Sequence, residues 1–172
     1  MVEANRTYWA VGDTPVGPVA VVRGDRGYVR VHLPEPGGRR ALRSRIQREH
    51  PGATEDPAAC ADGIAAVEAW ARTGAVPAGV PIDLPRATDF RKRIYGVLRR
   101  VRPGRTLSYG ELAAKAGRPG AARAVGAAMA ANPLPLFIPC HRVLTSDGRF
   151  GGFTAEGGVA LKERMLRHEG GV

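Results

Sequence analysis

Between Thr106 and Asn132 the chain reads TLSYGELAAKAGRPGAARAVGAAMAAN, a stretch that leaves few folds open. Ser108, followed three residues later by Glu111 and directly ahead of an apolar run, forms a capping box. Each of the two side chains accepts a backbone N–H that a helix start leaves unpaired. Gly117 suits the left-handed position that closes the same helix, and Pro119 suits the first turn of the next. The pattern predicts a helix, a short turn containing glycine, and a second helix over PGAARAVGAAMAAN, the outline of a helix-turn-helix. That second helix is almost all Ala and Gly, with a single charge, Arg123. Two readings fit it. Either it packs tightly into a core, or its outer face approaches another surface closely while one long cation reaches across.

The hydrophobic period changes on either side of this segment. In the first third, YWAV (8–11) and PVAVV (18–22) flank Asp13-Thr14-Pro15, and GYVRVHL (27–33) alternates every second residue, as strands do. PEPGG (34–38) interrupts the strands, and helices are expected around 39–49 and 57–71. Cys60, Ile64, Val67 and Ala71 share helical spacing in the second of these, which makes Cys60 a core residue. A Gly- and Pro-rich stretch over 73–85, with VPIDL as a last strand, marks a boundary. An α/β lobe over 1–85 is therefore expected before a mainly helical lobe over 86–172. The second lobe opens with an amphipathic helix on Phe90, Ile94, Val97 and Val101, basic outside and stopped at Arg102-Pro103-Gly104.

Charge is as unevenly placed as period. Of the net +10, residues 86–123 hold +9, from eleven basic and two acidic side chains. A solvated arginine-rich face and a polyanion-binding surface both fit such clustering. No stretch approaches the ~18–20 apolar residues that cross a bilayer. MVEANRTYWA lacks an apolar export core, so a cytoplasmic protein with no membrane partner is expected. Two cysteines, Cys60 and Cys140, make no disulfide framework, and without CxxC or HxxxH spacing no structural zinc site is expected.

Cys140 and His141 are adjacent in PCHRV, after the apolar run Leu134-Pro135-Leu136-Phe137-Ile138. A thiol attacks only as thiolate, which needs a nearby base, cation or helix N-terminus, and a base normally needs a third group to orient it. The closing segment GGVALKERMLRHEGG reads as a short helix with Leu161, Met165, His168 and Glu169 on one side. Glu169 is then either solvated at a frayed helix end or buried and paired with a histidine, completing a Cys–His–Glu relay.

PCHRV, with SYGELAAKAG and RAVGAAMAANPLP before it and GGFTAEGGVALKERMLRHEG after it, resembles the O6-alkylguanine-DNA alkyltransferases. These are also called methylated-DNA–protein-cysteine methyltransferases. The match runs over about residues 88–170; DTPVGPVAV (13–21) is similar to the family's N-terminal lobe, and residues 23–80 fit loosely. The resemblance implies a ribonuclease-H-like α/β N-terminal lobe. It also implies a mainly α C-terminal lobe whose winged-helix-like helix-turn-helix enters the minor groove of double-stranded DNA. Ala122, Ala124, Gly126 and Ala127 would face the DNA, because a groove only about 6 Å wide demands small residues. Arg123 would hold the gap left by a flipped nucleotide.

In the same resemblance Cys140 is the acceptor thiol, His141 the base acting through a water, and Glu169 the carboxylate that orients it. Asn132 is the hinge before the active-site loop, and Tyr109 the phenol donating to guanine N3 as the alkyl group departs. Met129, Val143, Phe153 and Pro135 form the substrate pocket, with main-chain carbonyls of Cys140 and Val143 accepting from the exocyclic amine. The implied reaction is a one-use SN2 transfer from O6-alkylguanine in DNA, extending to O4-alkylthymine. It needs no metal and no organic cofactor, and the protein acts as a monomer, with cooperative packing along DNA left open. Relatives that carry zinc use additional Cys and His ligands near the N-terminus; here no cysteine precedes Cys60. Phe153 stands where many relatives have a tyrosine, a loss of one hydrogen bond worth about 0.5–1.5 kcal/mol. Three competing readings remain: a non-reactive binder of alkylated DNA, a cysteine hydrolase using Cys140, His141 and Glu169, and an alkyl transferase acting on a non-DNA substrate. The hydrolase leaves the Ala/Gly helix and the clustered charge without a purpose.

Overall fold

The computed structural model describes residues 6–171, so the outermost positions of the two expected lobes, 1–5 and 172, lie outside the described residues. The chain divides into two compact units between Asp83 and Leu84. The first is a four-stranded sheet with two helices: β1 (Tyr8–Thr14), β2 (Gly17–Gly24), β3 (Gly27–His32), α1 (Gly38–Glu49), β4 (Thr54–Glu55) and α2 (Ala61–Thr73). Strand order is β3-β2-β1-β4, with β4 parallel to β1 and the other pairs antiparallel. All of Val19 to Val22 on β2 is buried, as expected of a strand covered on both faces. On one face Trp9, Ala20 and Val22 pack with Leu42 and Ile46 of α1. On the other, α2 approaches Gly12 so closely that a Cβ there would come within 3.2 Å of Val67 and 3.5 Å of Ile64. Cys60 is fully buried immediately before α2, and burial pushes its thiol up to about 11. Two sequence expectations shift. The helix expected from residue 57 starts at Ala61, after a turn in which Asp56 accepts the N–H groups of Ala58 and Ala59. VPIDL forms no strand element, only a single bridge between Ile82 and Tyr28, because it meets β3 at its first residues alone.

The second unit carries α3 (Asp89–Leu98), β5 (Leu107–Ser108), α4 (Tyr109–Lys115), α5 (Ala122–Ala130), β6 (Val143–Leu144) and α6 (Gly158–His168). Thr88 caps α3, accepting from the Arg91 N–H. The helix ends at Leu98, three residues earlier than its apolar spacing suggests, and the chain continues in tight turns to Val101. The capping box of Ser108 and Glu111 is present, with both bonds made. At the far end of α4 the Arg118 N–H bonds to Ala113 O and the Gly117 N–H to Ala114 O, with Gly117 left-handed at φ 74°, a Schellman closure. Helix α5 starts later than Pro119. Gly120 takes φ 84°, which no helix accommodates, so Pro119-Gly120 is a turn and the helix begins at Ala122. Val125, Ala128 and Met129 of α5 face inward, whereas Arg123, Ala124, Ala127 and Ala130 are exposed. Among the described residues no helix is long and apolar enough to cross a membrane.

Candidate active site

A two-residue parallel pairing sets the site. Leu107 pairs with Val143 and Ser108 with Leu144, which brings Tyr109, the first residue of α4, beside the segment that follows Cys140. This pairing has no sequence signature, since two residues carry no period. Cys140 opens a 3-10 turn, Cys140–Arg142. The loop ahead of it is spanned by Asn132, whose Nδ2 donates to Ile138 O at 2.9 Å while its Oδ1 accepts the Leu134 N–H at 3.0 Å. Leu136 sits in the left-handed region, φ 79°, a conformation costing on the order of 1 kcal/mol or more for a residue with a Cβ. Burial of Leu134, Leu136, Phe137 and Ile138 holds it there.

The Cys140 side faces a cavity of about 380 Å³ lined by Tyr109, Gly126, Met129, Ala130, Cys140, Gly152, Phe153 and Thr154. Of the residues expected to form the pocket, Met129 and Phe153 line it and Pro135 and Val143 do not. Val143 is buried, and its carbonyl accepts from Lys162 Nζ at 2.6 Å. Tyr109 lies between two glycines. A Cβ on Gly151 would come within 2.6 Å of the phenol oxygen, and one on Gly126 would sit at van der Waals distance from the ring. Burial, then the nearby Cys140, raises the Tyr109 phenol above its usual range, so it is a proton donor at neutral pH.

Behind the thiol stands a buried charged cluster. His141 Nε2 and Glu169 Oε1 are 2.7 Å apart, both side chains having no solvent exposure. Arg142 forks onto the same carboxylate, Nε to Oε2 at 2.8 Å and Nη2 to Oε1 at 2.9 Å, while its Nη1 donates to Val101 O. Glu169 is therefore the buried partner, not the solvated end of a frayed helix. Its backbone caps α6 in a second Schellman closure, with the Gly171 N–H on Leu166 O, the Gly170 N–H on Arg167 O and Gly170 left-handed. Because the Arg-bound carboxylate is ionised, His141 Nε2 carries the proton it donates. Nδ1 is left with its lone pair and has no hydrogen-bond partner among the described residues. Burial lowers the His141 pKa despite Glu169, so the ring is neutral and able to act as a base. Burial raises the Cys140 thiol, against the opposing pull of the Asn132 amide and the Lys162 ammonium.

No motif in the sequence marks Arg142 or Lys162. Lys162 is 1% exposed, 5.9 Å from the centroid of Phe153, and its charged form is disfavoured by burial but favoured by Cys140. The signal for it lay in α6. The buried face of that helix is Leu161, Lys162, Met165 and Leu166 and continues to Glu169, so a lysine lies inside an apolar stripe; His168 is off that face. Of the residues expected to face DNA, Arg123, Ala124 and Ala127 are exposed, Ala122 is half-buried, and Gly126 turns toward the cavity.

The fold and the site define a class: a mixed α/β protein in which a cavity-facing cysteine, backed by a His–Glu–Arg cluster, lies beside a small-residue helix. Residues 89–171 match the family model described as 6-O-methylguanine DNA methyltransferase, DNA binding domain. The Methylated-DNA--protein-cysteine methyltransferase of Salmonella typhimurium is 51% identical over 83 residues, 48% of this chain and 47% of that protein. The chain thus spans about half the length of that relative. The protein of the same name from Mycobacterium bovis is 34% identical over 157 residues, 91% of this chain and 88% of that one. A crystal structure of Mycobacterium tuberculosis OGT in complex with DNA superposes with a TM-score of 0.76 at 32% identity, covering 95% of this chain and 92% of that one. The chain belongs to the methylated-DNA–protein-cysteine methyltransferase family.

Proposed function

We propose that this chain is a DNA-repair protein that moves the alkyl carbon from O6 of an alkylated guanine in double-stranded DNA onto Cys140 Sγ, once per molecule. The observation that carries this reading is the thiol at a cavity whose wall includes α5, a helix with only small residues and Arg123 on its outer face. A minor groove about 6 Å wide accepts such a face, and a thiol set in a cavity is reached only by a base swung out of the stack. The relative solved in complex with DNA supports the same partner. On this reading the N-terminal lobe (1–85) is ribonuclease-H-like, and the lobe over 86–172 presents α4 and α5 as a winged-helix-like helix-turn-helix. Arg123 fills the vacated stack, with Ala122, Ala124 and Ala127 against the groove.

In the reaction the S–C bond forms as the C–O6 bond breaks. The Cys140 proton passes through a water to His141 Nδ1, whose positive charge Glu169 stabilises from the other side of the ring. Electron density left on guanine is met by a proton from Tyr109 at N3, so a neutral base departs. The thioether is not displaced, which makes the transfer stoichiometric. The protein acts as a cytoplasmic monomer, and O4-alkylthymine is a second substrate. Incubation with an O6-methylguanine duplex and intact-mass measurement tests this: Cys140 should gain about 14 Da, one methyl for one hydrogen, without turnover. No adduct after hours at equimolar lesion would overturn the reading.

A further inference from the structure

The first unit holds a second cluster of reactive side chains that the transfer reaction does not use. His32 ends β3, Glu49 ends α1, and His50 is the cap of α1, its N–H bonded to Ile46 O. One donor atom from each of the three lies within 4.8 Å of the others. The His32 side chain is 2% exposed, and Nε2 of both His32 and His50 is buried without a hydrogen-bond partner among the described residues. The carboxylate approaches at 3.8 Å from His32 Nε2, too far for a hydrogen bond, and the two rings stand edge to face with centroids 6.2 Å apart. Buried polar nitrogens ordinarily have partners, and two orphans on residues that cluster with one carboxylate call for a common one.

We propose that His32, Glu49 and His50 form a binding site for a divalent transition ion, Zn²⁺ foremost. Two imidazoles and a carboxylate are the borderline donor set that Zn²⁺ prefers; Mg²⁺ and Ca²⁺ want oxygen cages, and soft ions want thiolates. Tetrahedral Zn²⁺ with bonds of about 2.1 Å sets its donors about 3.4 Å apart. The donors, now within 4.8 Å of one another, need to close by up to about 1.4 Å, which ring rotation and the exposed Glu49 can supply. Burial disfavours the protonated form of both rings, leaving the lone pairs that ligation needs. Arg45 Nε donates to Glu49 Oε1 at 2.8 Å and orients the carboxylate as an outer-shell partner, leaving Oε2 toward His32. Arg30 reaches Oε2 only at 3.5 Å and competes with the ion for it. The two guanidiniums oppose a dication, so this is a site of moderate affinity that ties the end of β3 to the end of α1.

The test uses the full chain stripped with a chelator, titrated with Zn²⁺ against a chromophoric competitor and, separately, with Co²⁺ followed by its visible spectrum. One equivalent is expected, with the intense absorption of four-coordinate Co²⁺. Cys140→Ser should leave binding unchanged, which separates this site from the thiol of the second unit. His50→Gln should abolish it, Glu49→Gln should weaken it at least tenfold, and Arg30→Met should strengthen it. Zn²⁺ should raise the melting temperature of the wild type and not that of His50→Gln, whose far-UV circular dichroism checks its fold. Substoichiometric binding, binding that survives in a folded His50→Gln, or binding lost in Cys140→Ser would each overturn the assignment. Repair in His50→Gln should proceed at the wild-type rate, so the site stands apart from the proposed alkyl transfer.

Discussion

Glu169 Oε1 lies 2.7 Å from His141 Nε2 and 2.9 Å from Arg142 Nη2, so one buried carboxylate oxygen serves both a neutral base and a fixed cation. Glu169→Gln keeps the shape but leaves the buried Arg142 charge without its carboxylate. Removing one partner of a buried pair costs about 3–5 kcal/mol. We expect a loss of that size in urea unfolding. The single-turnover rate should fall by about 100-fold or more, since the imidazolium formed in the transition state loses its counter-charge.

The pH behaviour follows from two shifts. Burial holds the Cys140 thiol above its ordinary range, so labelling by iodoacetamide should rise about tenfold per pH unit from pH 7 with no plateau below about pH 9. His141 is shifted down by burial, so the folded ring stays neutral where the unfolded one takes a proton. Its contribution to stability is complete above the unfolded value of about 6.5 and is lost as pH falls from there toward the folded value. Urea midpoints measured from pH 7.5 down to 5.5 should fall accordingly, and fall less in His141→Gln.

Gly151 is expected to control the position of Tyr109. An alanine Cβ would lie 2.6 Å from the phenol oxygen, closer than real contacts allow, and Gly151 is not in the left-handed region, so the ring moves and the backbone does not strain. Gly151→Ala should slow alkyl transfer about tenfold, as should Tyr109→Phe, which removes the donor. The double variant should be no slower than either single one, because both act through one hydroxyl. Additive losses in single-turnover rates would show that Gly151 acts elsewhere.

Arg123 is exposed on α5. Arg123→Ala should therefore leave stability within about 0.5 kcal/mol of wild type. If the side chain occupies the vacated stack, repair of O6-methylguanine in duplex DNA slows far more than reaction with free O6-benzylguanine. Equal losses on the two substrates would remove Arg123 from flipping.

Much of this molecule was legible as local chemistry. The Ser108–Glu111 capping box, the glycine closure at Gly117, the apolar runs of β1 and β2 and the alternation over 27–33 act over a few residues, and side-chain spacing reports them directly. Cys60 was legible as core for the same reason. Where a single residue overrides a pattern, the structure departs from it: Gly120 delays α5 past Pro119, and VPIDL has a strand's composition but only one residue's length of partner.

What pairs with what was decided in three dimensions. Glu169 reads equally well as a solvated helix end; only the placement of α6 brings Arg142 onto it and converts it into the buried support of His141. Tyr109 beside Cys140 depends on a two-residue strand pairing with no period to detect. His32, Glu49 and His50 match no ligand spacing at all, because their donors come from the ends of a strand and a helix. Hydrogen bonds within a turn are set by neighbours along the chain, whereas charged pairs and ligand sets are set by how distant elements pack, and packing has no linear signature.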